Sequence, residues 1–162
     1  MNSLNRPIVS QEKLMIKNKS EAREFIVNLA KTFHKRQILL LQGEMGAGKT
    51  QLVTWLAQQY ALAAANTNTE AQSPTYAFHN RYAGAHGNIE HFDLDRIQSD
   101  ADLESIGFWD IFASATGWVI IEWPERINWR HLPKSWALTH VKVERVQKGS
   151  ENEERSFEVV TY

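Results

Sequence analysis

The feature that most constrains this chain is the string Gly43-Glu44-Met45-Gly46-Ala47-Gly48-Lys49-Thr50, set between an aliphatic run and an amphipathic segment. It matches the pattern G-x-x-x-x-G-K-[ST] without a gap. Before it, Ile38-Leu39-Leu40-Leu41 is continuously aliphatic, as suits a central strand buried on both faces. After it, Leu52, Val53, Leu56, Ala57 and Tyr60 recur at the spacing of one helix face. Each residue type in the loop has a physical role. Glycines reach backbone angles closed to other residues, so successive N–H groups can turn inward around phosphate oxygens. Lys49 offers a mobile charge that can reach β and γ phosphates, and Thr50 a hydroxyl for magnesium. The following helix contributes its positive N-terminal end. Gly43 through Thr50 are therefore predicted to bind nucleotide phosphates. A glycine-rich turn without a ligand would not require the flanking strand and helix.

The remaining pattern extends an α/β reading. Leu14 to Ile16 reads as a short first strand. Ser20 is placed as an N-cap, with Glu21 and Glu24 favourable to the helix dipole. Ala22, Phe25, Ile26, Leu29, Ala30 and Phe33 then mark an apolar helix face. Residues 61–72 read as a loop or a frayed helix end. Val119-Ile120-Ile121 is a second buried-strand candidate, ended by Glu122 and Pro124. Over 136–146, Leu138, His140 and Lys142 alternate with Thr139, Val141 and Val143, and 157–162 is again β-like. The charged stretch 147–154, with Gly149, suggests a hairpin turn. The expectation is a single nucleotide-binding domain over 1–162, a P-loop NTPase-like sandwich. Its sheet would be mixed and partly parallel, with a C-terminal β-hairpin.

Composition narrows the function. The chain of 162 residues has 18 basic and 19 acidic side chains and a formal net charge of −1. Proteins that grip nucleic acid directly usually carry a basic excess. Any RNA is therefore expected to be held by another protein. There are no cysteines, which excludes disulfides and thiolate metal sites. The N-terminal residues lack the apolar core of a signal peptide, and no aliphatic run approaches the length of a membrane span. A cytoplasmic, non-membrane protein is expected. The six histidines show no zinc-type spacing, and the six tryptophans come without a basic groove. The base-reading string of GTPases is also missing after the loop.

Magnesium usually takes one or two carboxylates beside phosphate and water. In P-loop proteins a carboxylate comes from the end of a neighbouring buried strand. Glu122 stands in that place, and Asp93 in His91-Phe92-Asp93-Leu94 is the other candidate. Either could equally be a strand-end cap. Ser73-Pro74-Thr75-Tyr76 offers a rigid turn and a hydroxyl able to sense a γ-phosphate, or a plain turn entering a strand.

Several segments together resemble one family. The glycine loop, Ser73-Pro74-Thr75-Tyr76, Asn80-Arg81-Tyr82, His91-Phe92-Asp93-Leu94, Leu103-Glu104 with Gly107, and Ile121-Glu122-Trp123-Pro124-Glu125 follow TsaE (YjeE) order and spacing. The resemblance covers residues 10–126 well and the C-terminal strands in outline. It implies a slow ATPase using ATP and Mg2+. This would act with the TsaB–TsaD heterodimer, which transfers a threonylcarbamoyl group to an adenosine of tRNA, and ATP hydrolysis would reset that complex. It also implies that Lys49 and Thr50 hold phosphate and magnesium, Glu122 binds magnesium, and Asp93 is metal-linked or positions water. Thr75 would be a switch residue, and Trp123 would lie at a partner surface or nucleotide lid. Where the family usually has a Tyr, this chain has Asp95, an added neighbour for a metal. Two alternatives stay open: a nucleotide switch without significant hydrolysis of its own, and a small P-loop kinase using arginines such as Arg81, Arg96, Arg126 and Arg130.

Overall fold

The structure is a computed structural model that describes residues 6–60, 78–84, 87–114, 116–146 and 154–162. The expected connector at 61–72, the switch string with Thr75, and most of the hairpin turn lie outside these residues. Seven strands form one sheet: β1 (Ser10–Ile16), β2 (Arg36–Gly43), β3 (His79–Tyr82), β4 (Asn88–Asp93), β5 (Gly117–Glu122), β6 (Ala137–Arg145) and β7 (Arg155–Thr161). Their order is β1-β7-β6-β2-β5-β4-β3. The four inner strands β6, β2, β5 and β4 run parallel, and β1, β7 and β3 add antiparallel edges. The sheet is thus mixed and partly parallel, and β6 and β7 form the expected C-terminal antiparallel pair.

The aliphatic run alternates between two cores, which explains why it carries no polar residue. Leu39 and Leu41 pack with Ile120, Val141, Phe157 and the inner faces of α1 (Lys19–Ala30) and α2 (Lys49–Tyr60). Ile38 and Leu40 pack on the other face with Val119, Ile121, Phe92 and Trp136. That second face is covered by α3 (Asp100–Ser105), α4 (Ile111–Ser114) and two short 3-10 turns. Helices on both faces of a mixed sheet with a parallel centre give the layered architecture read from the sequence.

Three local expectations need correction. The cap of α1 is Asn18 and not Ser20: its side-chain oxygen accepts from the Glu21 N–H at 2.9 Å, so the helix begins earlier. Glu21 stays in the first turn, but Glu24 falls beyond it, where the helix dipole has faded. The first strand starts at Ser10, because an exposed edge strand needs no apolar alternation to pair with β7. Finally, β3 and β4 carry too many polar residues to show strand alternation: His79 and Arg81 bind Glu90, while His91 and Asp93 serve the rim of the sheet.

Candidate functional site

Parallel pairing brings the C-terminal ends of β2, β5 and β4 to one rim of the sheet. Leu41 lies opposite Glu122, and Glu122 opposite Asp93. Ligand sites of open α/β sheets form on this rim. The glycine string leaves β2 there and turns into α2. Gly43, Gly46 and Gly48 have φ of 157°, 74° and 106°. At Gly46 and Gly48 the backbone is in the left-handed region that favours glycine. A Cβ on Gly43 would meet the Val143 carbonyl oxygen at 2.5 Å, so the loop can leave the sheet this closely only without a side chain. Ala47 is buried, whereas Glu44 and Met45 face solvent.

Lys49 is 4% exposed. Its Nζ donates to the carbonyls of Gly43 at 2.7 Å and Glu44 at 3.0 Å, which anchors the ammonium across the loop it follows. Burial holds its pKa below the ordinary lysine value, while Glu122, Glu125, Asp93 and Asp95 act in the opposite direction. The structure joins the predicted metal-side residues directly. Thr50 Oγ1 donates to Glu122 Oε2 at 3.0 Å, and Glu122 is 2% exposed. The other carboxylate oxygen, Oε1, lies 2.8 Å from His91 Nε2. His91 is fully buried, and its Nδ1 has no partner among the described residues. Nε2 as donor to the carboxylate is the tautomer that fits this network.

Asp93 does not join that cluster. Its Oδ1 accepts from the Asp95 N–H at 3.1 Å, a local turn that holds the half-buried carboxylate on the rim. Burial, and secondarily the charge of Glu122, raises its pKa despite that hydrogen bond. Asp95 therefore acts first through its backbone.

Trp123 follows Glu122 and precedes Pro124. With φ 58° and ψ 51° it is the one non-glycine residue in the left-handed region among those described. Such backbone costs about 1–3 kcal/mol and persists only where its surroundings impose it. Here it places the indole with Lys49 Nζ 4.0 Å from the ring centroid, a cation–π contact. Trp123 also borders a groove of about 510 Å³ shared with Glu44, Glu125, Lys142 and Arg145, of a size suited to a small ligand.

Two groups of residues were not apparent from sequence. In the sequence His91 is only part of a motif; its pairing with Glu122 depends on the register of β4 against β5. Arg145 and Arg155 donate to the loop carbonyls of Gly46 and Ala47, the latter at 2.8 Å. They lie about a hundred residues from the loop, so only the fold brings them there. Of the arginines considered for a kinase, Arg81 binds Glu90 at 2.7 Å, away from the loop.

Comparisons with known proteins agree with this picture. The family model for "Threonylcarbamoyl adenosine biosynthesis protein TsaE" matches residues 16–156. The tRNA threonylcarbamoyladenosine biosynthesis protein TsaE of Rickettsia felis is 30% identical over 115 residues, covering 71% of this chain and 64% of the relative. That of Rickettsia prowazekii is 30% identical over 113 residues, 70% of this chain and 74% of the relative. A Nostoc relative of the same name is 28% identical over 120 residues, 73% and 71% of the two chains. The crystal structure of Bacillus subtilus YdiB superimposes with a TM-score of 0.66 at 21% identity, over 97% of this chain and 88% of that one. At that identity it speaks to the fold, which is P-loop NTPase-like.

Proposed function

The chain belongs to the TsaE family of tRNA threonylcarbamoyladenosine biosynthesis, and from that premise we propose that it is a slow, magnesium-dependent ATPase acting with the TsaB–TsaD heterodimer in the cytoplasm. The observation that carries this reading is the Thr50–Glu122 contact at 3.0 Å, with the Lys49 ammonium anchored beside it at the mouth of the glycine loop. A hydroxyl and a buried carboxylate, beside a Gly48 amide with no acceptor among the described residues, are what a metal–triphosphate needs.

The donor set fits magnesium. Among the described residues no three His, Cys, Asp or Glu side chains group closely enough to hold an ion alone. An ion at Thr50 and Glu122 would complete its shell with phosphate oxygens and water, as magnesium does. When bound, magnesium supplies neutralisation of the β and γ oxygens. The amides of Gly46, Ala47, Gly48, Lys49 and Thr50 bind phosphate, and Lys49 Nζ supports the γ-phosphoryl group. Water oxygen bonds to the γ-phosphorus as the bond from that phosphorus to the bridging oxygen breaks, and a water proton passes to a phosphate oxygen, giving ADP and inorganic phosphate. We assign Asp93 to orient that water, because Glu122 already serves Thr50 and His91. Thr75 is assigned as the switch residue, on the resemblance of its string. Trp123 serves as a lid over Lys49. Contact with tRNA comes through the heterodimer.

One observation favours slow turnover by the isolated chain. Arg145 and Arg155 donate to loop carbonyls from outside the loop, whereas Lys49 reaches across its mouth, so no arginine is seen at the phosphoryl position among the described residues. The non-hydrolysing switch differs only in what the partner must add. Lys49→Ala is expected to weaken ATP binding by about 100-fold or more, since several charge-assisted bonds are lost together. Calorimetric titration with Mg-ATP reads this directly, and normal binding and turnover by the variant would remove the reading. Phosphate release with and without the heterodimer separates the two modes: equal rates would exclude dependence on partners.

A further inference from the structure

The two arginines reach the loop from outside, and what they hold matters more than that they are basic. Arg145 Nη2 donates to Gly46 O, and Arg155 Nε to Ala47 O at 2.8 Å. In a trans peptide the N–H points away from the C=O of the same plane. Fixing Gly46 O therefore fixes the Ala47 N–H, and fixing Ala47 O fixes the Gly48 N–H. The Ala47 amide reaches Glu44 O at 3.1 Å, and the Gly48 amide has no acceptor among the described residues. Each of these two planes adjoins a glycine. They are bracketed by Gly46 and Gly48, at φ 74° and 106°, where glycine rotates at little steric cost. The clasp thus restrains peptides that their flanking glycines leave free to rotate.

The placement of the arginines carries a cost that the clasp explains. Arg145 and Arg155 are direct register partners on β6 and β7. Like charges in that position disfavour strand pairing. Here each guanidinium turns to a carbonyl of the loop. The cover is close: a Cβ on Gly46 would lie 2.7 Å from Arg145 Nη2.

We propose that Arg145 and Arg155 are positioning residues of the phosphate cradle, presetting the Ala47 and Gly48 amides for a nucleoside di- or triphosphate. Through them the C-terminal strand pair sets nucleotide affinity. This rests on the reading that the glycine loop binds nucleotide phosphate. Backbone amides of such loops serve the phosphates that ATP and ADP share, whereas the lysine reaches the terminal one. The clasp should therefore govern both nucleotides alike and leave the chemical step alone.

The test compares wild type, Arg145→Ala, Arg155→Ala, Arg145→Lys and Lys49→Ala. ATP and ADP affinity, kcat at saturation, and amide exchange of the loop without nucleotide are measured for each. Each alanine variant should weaken ATP and ADP binding by about tenfold, the scale of a lost charge-assisted bond. KM should rise while kcat stays within about twofold, and loop amides should exchange faster. Arg145→Lys keeps one donor and should restore part of the affinity. Arg145 is exposed, so its variants should fold even if Arg155→Ala does not. Alanine variants that bind both nucleotides like wild type, while Lys49→Ala does not, would overturn the clasp and leave the phosphate reading standing. A wild type that binds neither nucleotide would overturn that reading itself.

Discussion

Glu90 and Glu122 lie on neighbouring strands, on opposite faces of the sheet, and are 1% and 2% exposed. Each has a histidine at hydrogen-bond distance, yet the two sites are built differently. Glu90 is closed by near neighbours in the chain: His79 at 2.6 Å, eleven residues away, and Arg81 at 2.7 Å, nine away. Glu122 is held by His91 at 2.8 Å and Thr50 at 3.0 Å, thirty-one and seventy-two residues away. Among the described residues no Lys or Arg touches Glu122. The difference separates a carboxylate that an arginine binds directly from one that the Lys49 ammonium influences only at a distance, without a direct ion pair. A buried carboxylate without a fixed cationic partner costs stability, and such costs gather where function needs them.

The largest expected effect comes from neutralising each carboxylate in turn. If Glu122 holds magnesium as proposed, Glu122→Gln should lower magnesium-dependent ATP turnover by about 100-fold, the scale of a lost contact where charge develops. Its resistance to urea should change little. Glu90→Gln should do the reverse. Turnover should stay within about threefold, while stability falls by about 2 kcal/mol. The loss sits below the usual range for a broken buried pair because Arg81 is 55% exposed and can be hydrated once released. Phosphate release and urea unfolding on both variants test the contrast. Equal losses of turnover, or equal losses of stability, would erase it.

His91 provides a finer test, since it acts through Glu122 and not on substrate. Groups that orient a metal-binding carboxylate typically contribute 10–100-fold to metal affinity. His91→Gln should raise the magnesium concentration for half-maximal turnover by about tenfold. ATP binding measured without magnesium should remain as in wild type. A loss of ATP binding in that condition would mean that His91 supports the fold of the loop instead.

The two carboxylates were not equally visible in the sequence. Glu122 follows an unbroken aliphatic run and precedes a proline, so its place at a strand end could be read from local pattern alone. The same holds for the glycine loop, whose residue types have no simpler explanation. Glu90 and His91 sit in a strand with buried polar side chains on both faces, where alternation of apolar and polar residues fails. Their partners come from cross-strand register, which no local pattern encodes. Arg145 and Arg155 were hidden for the same reason: as charges in edge-side strands they read as solvated, and only pairing of β6 with β2 turns them toward the loop. The start of α1 is ambiguous in the sequence for a smaller cause, since Asn18 and Ser20 are both good caps and only Asn18 accepts from the Glu21 N–H.

His140 completes the comparison as a histidine with no carboxylate at hydrogen-bond distance. Its Nε2 lies 2.9 Å from the neutral Gln42 Oε1, and its ring meets Trp129 edge-on at 4.8 Å. Burial outweighs the pull of Glu158 and holds its pKa down to about 4, from 6.5. The unfolded chain therefore takes up a proton near pH 6.5, and the folded chain only near pH 4. Between those values the unfolded state binds more protons, so this contribution to stability is complete above about pH 6.5 and is lost as pH falls toward 4. From pH 7 to 5.5 the loss amounts to about 1 kcal/mol. Urea midpoints of wild type and His140→Gln at the two pH values measure it. The variant should be flatter by that amount, because its amide keeps a donor toward Gln42 without a proton to gain. Parallel falls in the two proteins would mean that the His140 proton is bound equally well folded and unfolded, and that a neutral partner leaves a buried histidine no more perturbed than solvent does.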